Sequence, residues 1–215
     1  MAIASKLTAI GMIALSIAIG ILTFYLFSDV TKEQKKKHIE EIISQLVNFV
    51  IFIWIGKIVL NLSVFISDPL SILAYPSDSE SFYFATLCIT VLLLYKSKRK
   101  NMLVLPLLES FVPIFLIGSF VYEFMQFIIA DNKFAFGYLI LLALLLGLFL
   151  FLRERMMATM LIIVIVTFWS IGMIILGIIQ PFVTVFGYIM ELWFVGVFFI
   201  TCVGSLTYKL RKRDT

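Results

Sequence analysis

The sequence is built from apolar runs of about 20 residues, and most of its charged residues lie in the short connections between them. A helix of that length crosses the hydrocarbon layer of a bilayer. Because lipid offers backbone amides no partner, only helices or closed barrels can cross it. The runs are continuous rather than alternating, which favours helices. With 62% hydrophobic and 14% charged residues, the composition excludes an ordinary soluble domain and predicts an all-α polytopic membrane protein.

Seven spans are expected, and together they form a single transmembrane domain over residues 1–215. No stretch is long or polar enough to form a separate soluble domain, and the third run is short unless it includes part of the preceding loop. The glycines are scattered, and no close small-xxx-small pair stands out as a helix-packing motif. The spans are predicted at 7–27, 42–66, 82–95, 102–130, 135–152, 156–180 and 182–208.

The basic residues predict the orientation. Fourteen of the 17 Lys and Arg residues lie in four connections on one side of a seven-span chain, whereas the other side has only Lys6 and Lys133. Because cytoplasmic loops carry the excess of basic residues, the N-terminus is expected outside and the C-terminus in the cytoplasm. We therefore expect a multi-pass protein of the plasma membrane, typically the bacterial inner membrane. The net charge of +4 reflects anchors at anionic lipid, and no nucleic acid partner is expected.

Four ionisable residues lie inside predicted spans. Three of them, Lys57, Glu123 and Glu191, lie in the outer half, and Glu109 lies near the cytoplasmic end of the fourth span. Such residues are costly in a membrane and are functional candidates. At about 1.5 Å of rise per residue, all three are expected roughly 10–15 Å below the outer surface. A buried ammonium needs a counter-ion, which Glu123 or Glu191 could supply. Both a structural Lys–Glu clamp and a binding site remain open, whereas Glu109 is expected near the inner interface.

The longest polar stretch on the outside is the loop at 67–81, in which Tyr75 and Glu80 could line the mouth of the same cavity. A solvated connector is an equally open interpretation of this loop. Cys88 and Cys202 lie inside apolar runs and are interpreted as small apolar fillers. We find no phosphate-binding glycine loop, no His-Glu metal pair and no Ser/His/Asp set, so no cofactor or metal is expected.

Several segments together resemble one family, the prolipoprotein diacylglyceryl transferases. These bacterial enzymes move a diacylglyceryl group from phosphatidylglycerol onto the lipobox cysteine of prolipoproteins, and they have seven spans with the orientation predicted above. IWIGKIVLNL (53–62) resembles the family's Gly-x-Arg-Leu-x-Tyr segment, with Lys57 near the arginine. The segment 68–84 takes the place of the outer loop with His-Gly-Gly. The segment 96–127 resembles the basic loop and the signature Gly-Arg-x-Gly-Asn-Phe, and WSIGMIILGIIQP (169–181) resembles a late arginine-containing segment.

The departures from the family lie where its chemistry is carried. The family histidine has no counterpart, the signature arginine corresponds to Ser119, and the signature asparagine corresponds to Tyr122. The two late arginines correspond to Met173 and Gln180. Arginine holds phosphate bidentately, which neither serine nor methionine can do. The resemblance therefore implies the family's fold with a degraded active site, and favours a pseudoenzyme over an active transferase.

Three functions follow, of which the first is favoured. The first is an inactive relative that binds a membrane lipid such as phosphatidylglycerol, a lipoprotein signal segment or another membrane protein in an outward-facing cavity. The second is an active diacylglyceryl transferase in which Lys57 binds phosphate and Glu123 or Glu80 is the base. The third is an unrelated small membrane transporter, or a helper or immunity protein. The candidate cavity residues are Lys57, Glu123, Glu191, Tyr75, Glu80 and Tyr122.

Overall fold

The computed structural model is helical apart from one short β-hairpin among the residues it describes, which are 2–69, 78–99 and 103–214. The helices are α1 (Ala2–Phe27), α2 (Lys32–Leu60), α3 (Leu62–Ser67), α4 (Ser79–Arg99), α5 (Val104–Ile129), α6 (Ala135–Leu152), α7 (Ala158–Ile179) and α8 (Leu192–Asp214). The strands β1 (Thr184–Val185) and β2 (Tyr188–Ile189) lie between α7 and α8 and pair antiparallel.

Within the described residues, five helices are long and apolar enough to cross a membrane. They are α1 from Leu7 onward, α2, α5, α6 and α7. The apolar part of α8, Leu192–Gly204, is shorter. The predicted all-α class is confirmed, whereas the count of seven spans and the orientation remain predictions.

The helix ends agree with the predicted spans where the apolar runs have clear limits. One difference is a helix break at a polar residue inside the second predicted span. The predicted fifth span, 135–152, coincides with α6. The predicted second span, 42–66, is instead interrupted at Asn61, whose φ of −119° and ψ of 41° are not helical. The Asn61 side chain donates a hydrogen bond to the Lys57 carbonyl oxygen at 3.1 Å. Such side chain–backbone bonds compete with helix, so the break has a local cause.

Contacts along the chain define two compact units. The first comprises residues 1–31 and 108–215, and the second comprises residues 32–107. Each unit is a set of packed helices and is described below by itself. The expectation of one transmembrane domain over the whole chain remains a prediction.

In the second unit, α2 and α4 pack antiparallel. At one end, a Cβ atom built on Gly56 would lie 3.0 Å from the Phe84 ring and 3.3 Å from the Ser81 backbone. At the other end, Lys96 Nζ lies 2.9 Å from Glu41 Oε1. The absence of a side chain at Gly56 thus allows close helix packing, and the ion pair joins the opposite ends.

In the first unit, α1 and α5 pack through small residues. A Cβ atom on Gly20 would lie 2.6 Å from the Ile114 carbonyl oxygen, and one on Gly118 would lie 3.4 Å from the Ser16 carbonyl oxygen. Ser16 and Gly20 therefore act as a small-xxx-small pair that lets two backbones approach. The expectation that no such pair exists was wrong, because serine serves as one of its two small residues.

The hairpin replaces the first part of the seventh span predicted at 182–208. The pairing of β1 with β2 leaves Phe186 and Gly187 as a two-residue turn, with φ values of +51° and +85°. Positive φ at both positions is characteristic of a type I′ turn, whose twist matches that of the paired strands. The last helix consequently begins at Leu192 rather than at residue 182.

Candidate functional site

Glu123 of α5 is the buried acid of the first unit, with 1% of its surface exposed. Its Oε1 atom has no hydrogen-bond partner among the described residues, and none of the ion pairs formed by those residues includes it. Glu123 lies six residues before the end of α5, which is about 9 Å along the helix axis. A carboxyl group in an apolar membrane helix costs free energy and is therefore often functional. Glu123 accordingly remains a functional candidate.

Neighbouring helices bring further polar groups to Glu123. Ser119 lies one turn earlier on α5 and is also buried. Its hydroxyl lies beside the Tyr138 hydroxyl, but the two groups do not form a hydrogen bond of good geometry. The Tyr138 hydroxyl of α6 accepts a hydrogen bond of 2.9 Å from Trp169 Nε1 of α7. Glu123 interacts electrostatically with both Tyr122 and Tyr138. We call Ser119, Tyr122, Glu123 and Tyr138 the Glu123 cluster.

The hairpin turn lies against this cluster. Gln126 Nε2 donates a hydrogen bond of 2.8 Å to the Tyr122 hydroxyl. A Cβ atom on Gly187 would lie 3.0 Å from that hydroxyl. The ring of Phe186 lies 5.4 Å from the ring of Tyr122, measured between ring centres. The two turn residues therefore cover one side of the Glu123 cluster.

The hairpin also reaches deep along α5. The ring centre of Phe186 lies 6.1 Å from that of Phe115, which in turn lies 6.3 Å from Trp169. Phe115 is 11 residues from the start of α5 at Val104, which is about 16 Å along the axis and near the middle of the helix. Non-helical backbone at membrane depth is tolerated where protein buries it or where it lines a cavity. The hairpin thus packs along the middle of α5 and is held by aromatic contacts.

The second unit contains the buried cation. Lys57 of α2 is 4% exposed, and its Nζ atom lies 4.7 Å from the centre of the Trp54 ring. This geometry is a cation–π contact. Glu80 is exposed in the first turn of α4, and Tyr75 lies outside the described residues. Because Lys57 and Glu123 belong to different units, their pairing remains a prediction.

The position of Glu191 has to be corrected. The sequence placed it about ten residues inside a span, but it is exposed and directly precedes α8. The hairpin is the reason, because it uses the preceding residues as paired strands. Its depth relative to Lys57 and Glu123 stays a prediction. Glu109 is exposed on α5, as expected of a residue near the end of a span.

Sequence reasoning did not assign Tyr138 and Trp169 to the site. Aromatic residues in apolar runs are usually interpreted as packing or interfacial residues, and nothing in the sequence indicated that these two form a buried hydrogen bond. A usable signal did exist for Ser119, because it lies four residues before Glu123 on the same helix face. The cluster contains one carboxyl and three hydroxyl groups, which can accept hydrogen bonds from a ligand, and the hydroxyl groups can also donate one.

The fold is that of a helical membrane-type protein with a buried acidic cluster, one side of which contacts the turn of a β-hairpin. No protein-family model matches the chain, and neither a curated protein nor a solved structure is significantly similar to it. Within the part of the chain that the structure describes, no group of three or more His, Cys, Asp and Glu side chains is arranged to hold a metal ion.

Proposed function

We propose that the protein is a non-catalytic lipid-binding protein of the plasma membrane, with seven spans, an outside N-terminus and a cytoplasmic C-terminus. The observation that carries this proposal is the Glu123 cluster, in which Oγ of Ser119 and Oε1 of Glu123 are buried and have no hydrogen-bond partner among the described residues. Buried polar groups are normally satisfied. Oxygen atoms left without partners are therefore suited to bind a ligand that supplies the missing donors.

The ends of the helices support the proposed topology within each unit. In the first unit, Arg153 after α6 forms an ion pair with Asp29 after α1. In the second unit, Lys96 near the end of α4 forms an ion pair with Glu41 near the start of α2. Seven alternating crossings would place both pairs on the cytoplasmic side, where basic residues are favoured. Reporter fusions at residue 215 test the orientation, and an extracellular C-terminus would contradict it.

We further propose that the chain is a divergent relative of the prolipoprotein diacylglyceryl transferases. Ser119 and Tyr122, which correspond by resemblance to the family's signature arginine and asparagine, are both members of the Glu123 cluster. On this proposal, the chain keeps a polar cluster at the position of the family's active site, but the residues that bind phosphate in the family are replaced. An active transferase would restore lipoprotein modification in a transferase-depleted strain, and we expect this chain to fail in that assay.

Mass spectrometry of the gently solubilised protein tests lipid binding. We expect the wild-type chain to retain one lipid species well above its share of the surrounding membrane, and Glu123→Gln to lose that enrichment. Glu109→Gln is the matched control, because Glu109 is exposed on the same helix. A retained lipoprotein signal segment or partner protein, rather than lipid, would contradict the proposal, as would lipid in bulk proportions in all three proteins.

A further inference from the structure

The Glu123 cluster has the chemistry of a site for a particular kind of headgroup. We propose that it binds the primary ammonium group of an aminophospholipid. This inference rests on the lipid binding proposed above and specifies which lipid class is bound. It follows from three features of the cluster, namely its charge, its free acceptor atoms and its aromatic surroundings.

When Glu123 is ionised, the charge of the cluster favours a single positive charge on the ligand. Glu123 is its one acidic member, and none of Ser119, Tyr122 and Tyr138 is basic. A buried ion needs a partner of opposite charge, so one monovalent cation brings the site close to neutral. A divalent ion would leave an uncompensated charge, and a phosphate would add a second negative charge beside Glu123. The phosphate of a bound lipid is therefore expected outside the cluster.

The acceptor atoms of the cluster match the donors of a primary ammonium. Oε1 of Glu123 and Oγ of Ser119 have no hydrogen-bond partner among the described residues, and they lie one turn apart on α5. The Tyr138 hydroxyl accepts one bond from Trp169 and retains further acceptor capacity. A primary ammonium has three N–H donors. The trimethylammonium of a choline headgroup has none and would leave these oxygen atoms unsatisfied.

Aromatic rings surround the approach to the cluster. Phe186 contacts both Phe115 and Tyr122, and Phe115 contacts Trp169. The faces of such rings attract cations. Because Glu123 is almost fully buried, a headgroup reaches it only when the covering turn moves aside. Phe186 adopts a positive φ of +51°, which is uncommon for a bulky residue outside such a turn.

Nanodiscs of defined composition test the headgroup preference. The full chain is reconstituted in phosphatidylglycerol mixed with equal amounts of phosphatidylethanolamine and phosphatidylcholine, and retained lipid is counted by native mass spectrometry. We expect wild type to retain phosphatidylethanolamine roughly tenfold over phosphatidylcholine, the loss expected for unmade hydrogen bonds to a charged group. Glu123→Gln is expected to abolish the preference, Ser119→Ala to weaken it, and Glu109→Gln to leave it unchanged.

The outcomes of this experiment distinguish the failure of the ammonium site from the failure of the proposed lipid binding. Tight lipid without headgroup preference, or a preference that survives in both Glu123→Gln and Ser119→Ala, overturns the ammonium site but leaves lipid binding intact. No tightly retained lipid in any mixture refutes lipid binding itself. Retention of free ethanolamine in preference to phosphatidylethanolamine would assign the site to soluble amines and overturn the aminophospholipid. Because Ser119→Ala leaves the carboxyl in place, it keeps the test decisive even where Glu123→Gln folds poorly.

Discussion

Among the described residues, each of the two units buries one acidic or basic side chain, but the two units surround it differently. In the second unit, the ammonium of Lys57 lies over the ring of Trp54. In the first unit, Oε1 of Glu123 and Oγ of the adjacent Ser119 have no hydrogen-bond partner among the described residues. A charge that its neighbours satisfy contributes to stability, whereas one with missing partners is typical of a site that binds something else. This difference agrees with the proposal that Glu123 belongs to a binding site, and it suggests a structural role for Lys57.

The close helix contacts of the two units also differ in the atoms that lie next to the glycine. Gly20 of the first unit faces a backbone carbonyl oxygen, that of Ile114, at 2.6 Å from a built Cβ atom. Gly56 of the second unit faces the side chain of Phe84 at 3.0 Å, and backbone atoms of Ser81 lie farther away, at 3.3 Å. A ring can rotate away, whereas a helix backbone cannot move alone. The first unit should therefore be the less tolerant of added volume.

The largest expected effect is that of adding volume at Gly20. Gly20→Val should lower the free energy of unfolding by about 3 kcal/mol, because overpacking against backbone forces α1 and α5 apart. Gly56→Val should lower it by about 1–2 kcal/mol. Gly11→Val is the control, since nothing lies within 4 Å of a Cβ atom at Gly11. Thermal unfolding in detergent measures all three, and equal losses at Gly20 and Gly11 would contradict this packing.

The next largest effect separates the two buried charges. Lys57→Met removes the cation–π contact and should lower the free energy of unfolding by about 2 kcal/mol. Glu123→Gln removes a carboxyl with a missing partner and should leave stability unchanged or slightly higher, a change of less than about 0.5 kcal/mol. The same unfolding measurements test both variants. A large loss in Glu123→Gln together with none in Lys57→Met would reverse the roles assigned to the two residues.

The sequence predicted the helices well because apolar length is a strong signal in a membrane. The run at 135–152 coincides with α6, and the charge of Glu123 stood out against its apolar surroundings. The helix break at Asn61 was not predicted, because one polar residue inside a long run does not decide between a break and a continuous helix.

The hairpin could not be recognised from hydropathy, since its residues are as apolar as those of a span. Its β-branched residues and the Phe-Gly pair at 186–187 are turn and strand signals, but short apolar runs are ambiguous between helix and strand. What decides the conformation is tertiary packing, above all the contacts of Phe186 with Phe115 and Tyr122. The position of Glu191 was misjudged for the same reason.

A smaller effect is expected at the hairpin turn of the first unit. Gly187→Ala places a Cβ atom at a φ of +85° and 3.0 Å from the Tyr122 hydroxyl. This should lower the free energy of unfolding by about 1–2 kcal/mol and weaken lipid retention, because the turn no longer seats on the Glu123 cluster. Gly196→Ala is the control, since it is helical and has nothing within 4 Å. Unchanged lipid retention in Gly187→Ala would show that the turn does not cover the site.

The smallest effect is expected at the satisfied charges of the second unit. Lys96 and Glu41 are 2.9 Å apart, with side chains 18% and 33% exposed, and Gln45 also donates a hydrogen bond to Glu41. Lys96→Ala should lower the free energy of unfolding by about 0.5–1 kcal/mol, and added salt should reduce the difference. Lys36→Ala is the control, because its pair with Glu40 spans 3.9 Å at the surface and should contribute nothing measurable. If both variants lose the same stability, the loss reflects helix propensity or net charge rather than the ion pair. The second unit would then owe its stability to apolar and aromatic packing. The cation–π contact of Lys57 would be the one remaining stabilising charge contact in the comparison with Glu123.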